Sequence, residues 1–318
     1  MDGVFRFVPA LDMADFITPV HVPVLLAPVL AAAEGARRAV DATLGDGGHA
    51  EALRRTGAEV FGIDRDPAAM AVSRRRLGED GMRYLQAEYA APEALAAVVA
   101  FHPDFILLDL GVSSRQLDEA ERGFTFRPGA PLDMRMGSAG SSASEFLNQA
   151  EEAELARVFH EYGDERQARR LAREIVRRRS RQPFAVSDDL VNAVRATLGS
   201  RAGPSEFARL FQAVRIAVND ELTGLETALP ALRDALVPDG RLAVITYHSG
   251  EDRLVKQAFR AWASACICPP RQPICTCRGR PLGRLVPRKP IVAGPEEVAA
   301  NPRARSAHLR IFQAGNAS

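Results

Sequence analysis

Lysine is nearly missing from this chain: of 41 basic residues only Lys256 and Lys289 are lysine. A genome rich in arginine codons explains the type of these cations but not where they cluster. No run of about 18 uncharged apolar residues occurs, and the N-terminal segment has neither the basic stretch nor the apolar core of a signal peptide. The expectation is a soluble cytoplasmic protein with no membrane partner. Net charge is +1, which selects no partner. Acidic residues, however, are absent from Arg253 to Pro295, where nine basic residues fall. That stretch suits a nucleic-acid backbone. A second basic run, Arg166 to Arg181, reads as helical. Glu174 within it and Glu165 before it make ion pairs along a solvated face the alternative to RNA or DNA contact.

At 318 residues the chain is long for one core, so two lobes are expected. Residues 1–20 show no pattern and read as a poorly ordered lead-in. Short apolar strands at 38–43, 59–64, 82–87 and 104–110 alternate with helical patterns at 49–56, 66–78 and 92–100. The alternation predicts an α/β fold with a parallel, doubly wound sheet. Asp66-Pro67 is a helix start, with Asp as cap and Pro in the first turn. After Asp109 the alternation stops. Residues 111–137 read as a loop and 144–236 as helices, with Ser144, Asp164 and Ser187 as caps and Ser205 opening a long amphipathic run. The sheet pattern resumes at 240–247, followed by a helix at 250–263 and a last strand near 308–312. The predicted layout is a sheet domain from 21–117 and 224–318, interrupted by a helical insertion at 118–223.

Asp41-Ala-Thr-Leu-Gly-Asp-Gly-Gly-His49 joins the first strand to its helix, and Val60-Phe-Gly-Ile-Asp64 ends the second strand in a carboxylate. Gly45, Gly47 and Gly48 stand where the backbone bends sharply and approaches a ligand, and Asp64 is placed to accept hydrogen bonds from ribose hydroxyls. A dinucleotide site would carry G-x-G-x-x-G to seat a pyrophosphate. The third glycine is missing, and an acid precedes the first by four residues, so the pattern favours S-adenosylmethionine over a nicotinamide cofactor.

Two further strand ends carry candidate chemistry. Asp109, Ser113, Ser114 and Gln116 follow the fourth strand, where ligands of open α/β sheets bind. Tyr247-His-Ser-Gly-Glu-Asp-Arg253 ends the next central strand. His248 could relay a proton there, whereas Glu251 and Asp252 read chiefly as first-turn helix acids. All four cysteines lie close together, Cys266-Ile-Cys268 and Cys275-Thr-Cys277. Four thiolates could hold Zn²⁺, but the pairs are C-x-C rather than C-x-x-C. The spacing weighs toward a loop of reduced cysteines, and no metal is assigned.

Seven blocks support a family resemblance: His21-Val-Pro-Val-Leu-Leu26, Asp41 to His49, Leu107-Leu-Asp-Leu-Gly-Val-Ser-Ser114, Arg122-Gly-Phe-Thr-Phe126, Pro131-Leu-Asp-Met-Arg-Met136, Phe211 to Leu222 and Asn301-Pro-Arg-Ala-Arg-Ser306. In order and in register, they closely resemble the MraW/RsmH family. The resemblance implies a Rossmann-like class I S-adenosylmethionine-dependent methyltransferase with an inserted all-helical domain. It also implies methyl transfer to N4 of a cytidine in the decoding region of small-subunit (16S) ribosomal RNA. By position it implies cofactor contacts at Gly47, Gly48, His49, Asp64, Tyr89, Asp109 and Gln116. Asp109, or the backbone carbonyls beside it, is then the candidate for orienting the target amine, and His248 is the second catalytic candidate, as a proton relay. The competing readings are a non-catalytic RNA-binding assembly factor and a DNA cytosine-N4 methyltransferase. The second usually carries an Asp/Ser-Pro-Pro-Tyr/Phe motif where this chain has Asp109-Leu-Gly-Val112.

Overall fold

The computed structural model describes residues 22–269, 272 and 274–315; the expected lead-in at 1–20 lies outside these. Two compact units form, one from residues up to Gly111 and from Gly224 onward, the other from Val112–Thr223. The first division falls at 111/112, ahead of the 117/118 boundary read from the sequence.

The first unit is an eight-stranded sheet between two layers of helices. Its strands are β1 (Arg38–Asp41), β2 (Glu59–Asp64), β3 (Met82–Gln86), β4 (Phe105–Asp109), β5 (Arg241–Thr246), β6 (Gly283–Leu285), β7 (Ile291–Val292) and β8 (His308–Ala314). Their order is β3-β2-β1-β4-β5-β8-β6, with β7 pairing β8 off this path. The first five are parallel. Near-continuous apolar runs such as Phe105-Ile-Leu-Leu are what strands covered on both faces require. β8 runs antiparallel to β5, β6 and β7. β6 and β7 are too short to leave a pattern, and neither was expected.

Four helices belong to the first half of this unit: α1 (Leu26–Ala32), α2 (Gly48–Arg55), α3 (Pro67–Leu77) and α4 (Pro92–Phe101). Asp66 caps α3 as expected, its carboxylate accepting from the Ala68 N–H at 2.9 Å. Sequential strands β1 and β2 lie on one side of the sheet's middle, and β4 follows on the other side of β1. The chain order therefore reverses between β1 and β4, the topological switch point at which such sheets bind ligands.

The second unit holds α5 (Ser114–Asp118), α6 (Ala143–Gln149), α7 (Glu152–Glu161), α8 (Ala168–Arg179), α9 (Ser187–Leu198) and α10 (Pro204–Asn219) around a core that includes Phe159, Leu171, Ile175, Leu190 and Leu210. Its caps differ from those expected. Ser142, not Ser144, caps α6 in a reciprocal box with Glu145, while the Ser144 hydroxyl donates to Phe184 O. Asp164 takes a left-handed backbone (φ 46°) ahead of α8 rather than capping it. Ser187 is already inside α9, whose entry is closed by the Asp189 carboxylate accepting from Ala185 and Val186 N–H. α10 opens one residue earlier, at Pro204. α11 (Glu221–Ala235) leads back to the sheet unit, which ends with α12 (Ser249–Ala263) and α13 (Pro295–Ala300). No described helix is long and apolar enough to cross a membrane.

Candidate active site

The carboxyl ends of β1, β2 and β4 each carry an aspartate, and the glycine turn lies among them. Asp64 ends β2. Its Oδ2 accepts from Gly45 N–H at 2.7 Å and its Oδ1 from Asp66 N–H at 2.8 Å, which leaves a lone pair on each oxygen for further donors. The turn is held from the far side by α3, where the Ser73 hydroxyl donates to Gly45 O and Arg76 to Asp46 O. Gly47 has φ +80°, and a Cβ there would come within 2.8 Å of Leu77. A Cβ on Gly48 would come within 2.6 Å of Pro23. These two glycines are thus required first by the packing of the turn against the protein, a reason beyond the ligand approach read from the sequence. They bring the free N–H groups of the first turn of α2 to the crevice.

His49, the second residue of α2, is buried with Nε2 3.0 Å from Val24 O. Nε2 therefore carries the proton, and the bare Nδ1 faces Asp109 Oδ2 at 3.6 Å. Burial, the largest influence, holds the ring below the ordinary histidine range, so it stays neutral. Asp109 ends β4. Its backbone N–H donates to the Thr43 hydroxyl at 2.6 Å, and its Oδ1 accepts from the Tyr247 hydroxyl at 2.8 Å. Desolvation pushes the Asp109 carboxyl up to about 7 against the lowering effect of the Tyr247 bond. Its side chain still keeps 23% exposure, so it opens to the crevice. Asp41, at the end of β1, is fully enclosed and raised by burial to about 6, and burial also raises Asp64. None of the three is ion-paired with Lys or Arg among the described residues. Arg65, paired with Glu88 at 3.0 Å, offsets part of the rise at Asp64.

Tyr89 follows β3, the next strand outward, and packs against the sheet's second core. Gln116 belongs to the helical unit. It is buried, and its carboxamide oxygen accepts from Ser113 N–H in the cap of α5. His248 caps α12 at the end of β5, and its Nε2 is enclosed 3.2 Å from a Glu251 oxygen but off hydrogen-bonding line. Glu251 is buried and accepts from Tyr247 and His248 N–H, so it closes the helix start. Asp252 makes a two-pronged pair with Arg310 at 2.8 and 3.0 Å. Tyr247 and Thr43 were missed as site residues. An aromatic and a threonine at strand ends read as core and turn, and only the tertiary pairing with Asp109 marks them.

Beside Tyr247 and His248 runs a groove of about 650 Å³, whose walls include Ser249, Arg253, Lys256, Gln257, Arg260 and His308. It reaches the Asp109 cluster through Tyr247 and carries three of the nine basic residues of the acid-free stretch.

Comparison with known proteins gives a family for this geometry. Residues 18–315 match the MraW methylase family. The chain is 57% identical over 298 residues to Ribosomal RNA small subunit methyltransferase H of Gemmatimonas aurantiaca, covering 92% of this chain and 95% of that protein. Proteins of the same name from Heliobacterium modesticaldum and a Nocardioides species are each 48% identical. They cover 91% and 93% of this chain and 97% of each relative. With a glycine turn, strand-end carboxylates and near full-length identity in agreement, this chain belongs to the MraW methylase family.

Proposed function

We propose that the protein transfers a methyl group from S-adenosylmethionine to N4 of a cytidine in the decoding region of small-subunit (16S) ribosomal RNA. The observation that carries this reading is the trio Asp41, Asp64 and Asp109 at adjacent strand ends, desolvated and with no lysine or arginine ion pair shown among the described residues. Unpaired charge in such a place is costly. A ligand bearing positive charge relieves it, and S-adenosylmethionine carries both a sulfonium and an ammonium. The names of relatives 57% and 48% identical over most of the chain support ribosomal RNA as the substrate class.

The residues fit this cofactor. The free lone pairs of Asp64 suit two ribose hydroxyls, and Tyr89 offers an aromatic face for adenine. Gly47, Gly48 and His49 place the N–H groups of α2 where a carboxylate is favoured. When bound, the cofactor supplies a methyl group activated by its positive sulfur.

The target nitrogen is a weak nucleophile, because its lone pair is delocalised into the cytosine ring. Asp109 can accept a hydrogen of that amine, with Tyr247 fixing one carboxylate oxygen and leaving the other for the substrate. Holding the amine this way turns its lone pair out of conjugation. Positioning of this kind is worth roughly 7–11 kcal/mol, against about 10²–10⁴-fold for proton transfer to a base. The base must leave its stack or lie in a single strand to enter. The groove along Arg253, Lys256 and Arg260 suits the phosphates beside it.

The test is transfer of labelled methyl from S-adenosylmethionine to small ribosomal subunits from cells lacking the gene, followed by digestion to nucleosides. Label in N4-methylated cytidine is the expected result. Cofactor binding without transfer to any RNA overturns the reading in favour of an assembly factor.

A further inference from the structure

The four cysteines lie in the loop between the end of α12 and β6, one helix length from His248, or about 22 Å for a fifteen-residue helix. They play no part in the chemistry above. We infer that Cys266, Cys268, Cys275 and Cys277 form a tetrahedral zinc site that fixes this loop.

The sulfur geometry is the first reason. Cys275 Sγ lies 3.8 Å from Cys266, 3.9 Å from Cys268 and 3.5 Å from Cys277, and Cys277 lies 3.8 Å from Cys266. All four sulfurs fall within 4.8 Å of one another. A zinc ion with Zn–S bonds near 2.3 Å has tetrahedral S···S edges of about 3.8 Å. The separations are far beyond a disulfide bond of roughly 2.05 Å, and the four cysteines are free. They are also too close for an iron–sulfur cluster, whose cysteines are spread over different iron atoms.

The backbone around the sulfurs supplies the second reason. The C-x-C spacing that argued against a metal has a geometric answer, since the non-helical chain of the second pair already brings Cys275 and Cys277 Sγ to 3.5 Å of each other. Each pair then presents two sulfurs together, and the two pairs face each other with matching N–H donors. Ile267 N–H, in the middle of the first pair, points at Cys277 Sγ at 3.4 Å. Thr276 N–H, in the middle of the second, is directed at Cys268 Sγ. Donors aimed at sulfur from both sides are what metal-bound thiolates require around them.

The third reason is that the described residues of the loop are held by polar contacts rather than by apolar packing. Ile267 and Ile274, beside the cysteines, are 51% and 75% exposed and so add no buried apolar side chain to it. Arg278, the residue after the last cysteine, donates to the carbonyls of Ala261, Trp262 and Ser264 at the end of α12. A metal at the cysteines therefore ties the basic stretch that follows to the aromatic group Phe259, Trp262 and Phe312. The set of four sulfurs selects zinc over magnesium, calcium or manganese, which prefer oxygen.

The test is elemental analysis of the untagged full chain after dialysis against EDTA, beside the double variant Cys268→Ser/Cys277→Ser. One zinc per chain in the parent and none in the variant is the expected result. The parent's thiols should stay unreactive toward a disulfide reagent until a mercurial releases the metal. Should the variant fail to fold, cobalt exchanged into the parent gives an independent reading through the visible bands of a tetrahedral tetrathiolate. Metal-free protein with four freely reactive thiols overturns the inference, as does bound iron, a disulfide, or zinc retained by a folded double variant. None of these readings depends on methyl transfer.

Discussion

The two units bury carboxylates in opposite ways. In the helical unit, buried Glu165 and Glu221 are each matched by an arginine: Arg209 at 2.6 Å, and Arg215 through two bonds of 2.8 and 2.9 Å. In the sheet unit the rule holds away from the strand ends, where Glu51 meets Arg55 and Arg76, and Asp66 and Glu251 meet backbone N–H groups. Asp41, Asp64 and Asp109 are likewise met by N–H and O–H donors, from Thr43, from Gly45 and Asp66, and from Tyr247, but among the described residues none of them shows an ion pair with arginine or lysine. Three carboxylates raised by burial at adjacent strand ends mark that place as suited to a ligand. The helical unit spends its charge on stability, and the strand ends hold theirs for binding.

The largest effect separating the two regions is expected at Asp109. Asp109→Asn should lower methyl transfer by about 10²-fold or more while cofactor still binds, and should leave the melting temperature of the free protein unchanged or raised. Intact turnover would remove Asp109 from the amine-orienting role. Arg215→Ala is the converse experiment. Stranding Glu221 should cost about 3 kcal/mol of stability in a denaturant titration, and a neutral result would erase the contrast between the units. Next comes Asp64→Ala, expected to weaken cofactor binding by roughly 1.5–3 kcal/mol in calorimetry with the fold preserved.

The pH dependence sharpens the same contrast. Asp41 and Asp109 hold protons in the folded state that the unfolded chain releases. The ligand-free protein should therefore lose stability as pH rises from the ordinary value near 3.8 through about 6 and about 7. A cationic cofactor prefers the ionised carboxylates, so its thermal stabilisation should be greater above about 7 than below about 6, with protons released on binding between. A flat profile in thermal shift assays would mean that the carboxylates do not face the cofactor's charge. The smallest effect is expected at Lys256→Gln in the groove. It should reduce the salt slope of RNA binding by about 1 without changing sequence preference.

What the sequence made legible follows from how each feature is encoded. The parallel strands β1, β2, β4 and β5 were readable because burial on both faces writes a continuous apolar run, and α3 because Asp66-Pro67 is a local start signal. β6 and β7 were not, since three and two residues at an antiparallel edge leave no period to detect. Ser142 and Ser144 differ as caps only through Glu145, placed to complete the box with the former. At the site, Asp41, Asp64 and Asp109 were visible as acids ending apolar strands. Tyr247 was not, because its partner lies 138 residues away and only the β4–β5 pairing brings them together. The cysteines were visible, but their convergence depends on a backbone shape that spacing alone does not specify.

The pairing of β4 with β5 carries a consequence for how the molecule assembles. These neighbours in the sheet are joined by the whole helical unit, so Asp109 finds Ile245 only after a long excursion of chain. Closing a flexible loop of about 130 residues instead of about 10 costs roughly 2 kcal/mol more in chain entropy. Early folding of the insert removes much of that cost by turning slack chain into a compact body. The helical unit is thus also expected to act as a folding aid for the sheet that it interrupts. Substitutions in its core, such as at Phe159 or Leu171, should slow the appearance of the cofactor crevice without touching a residue that lines it.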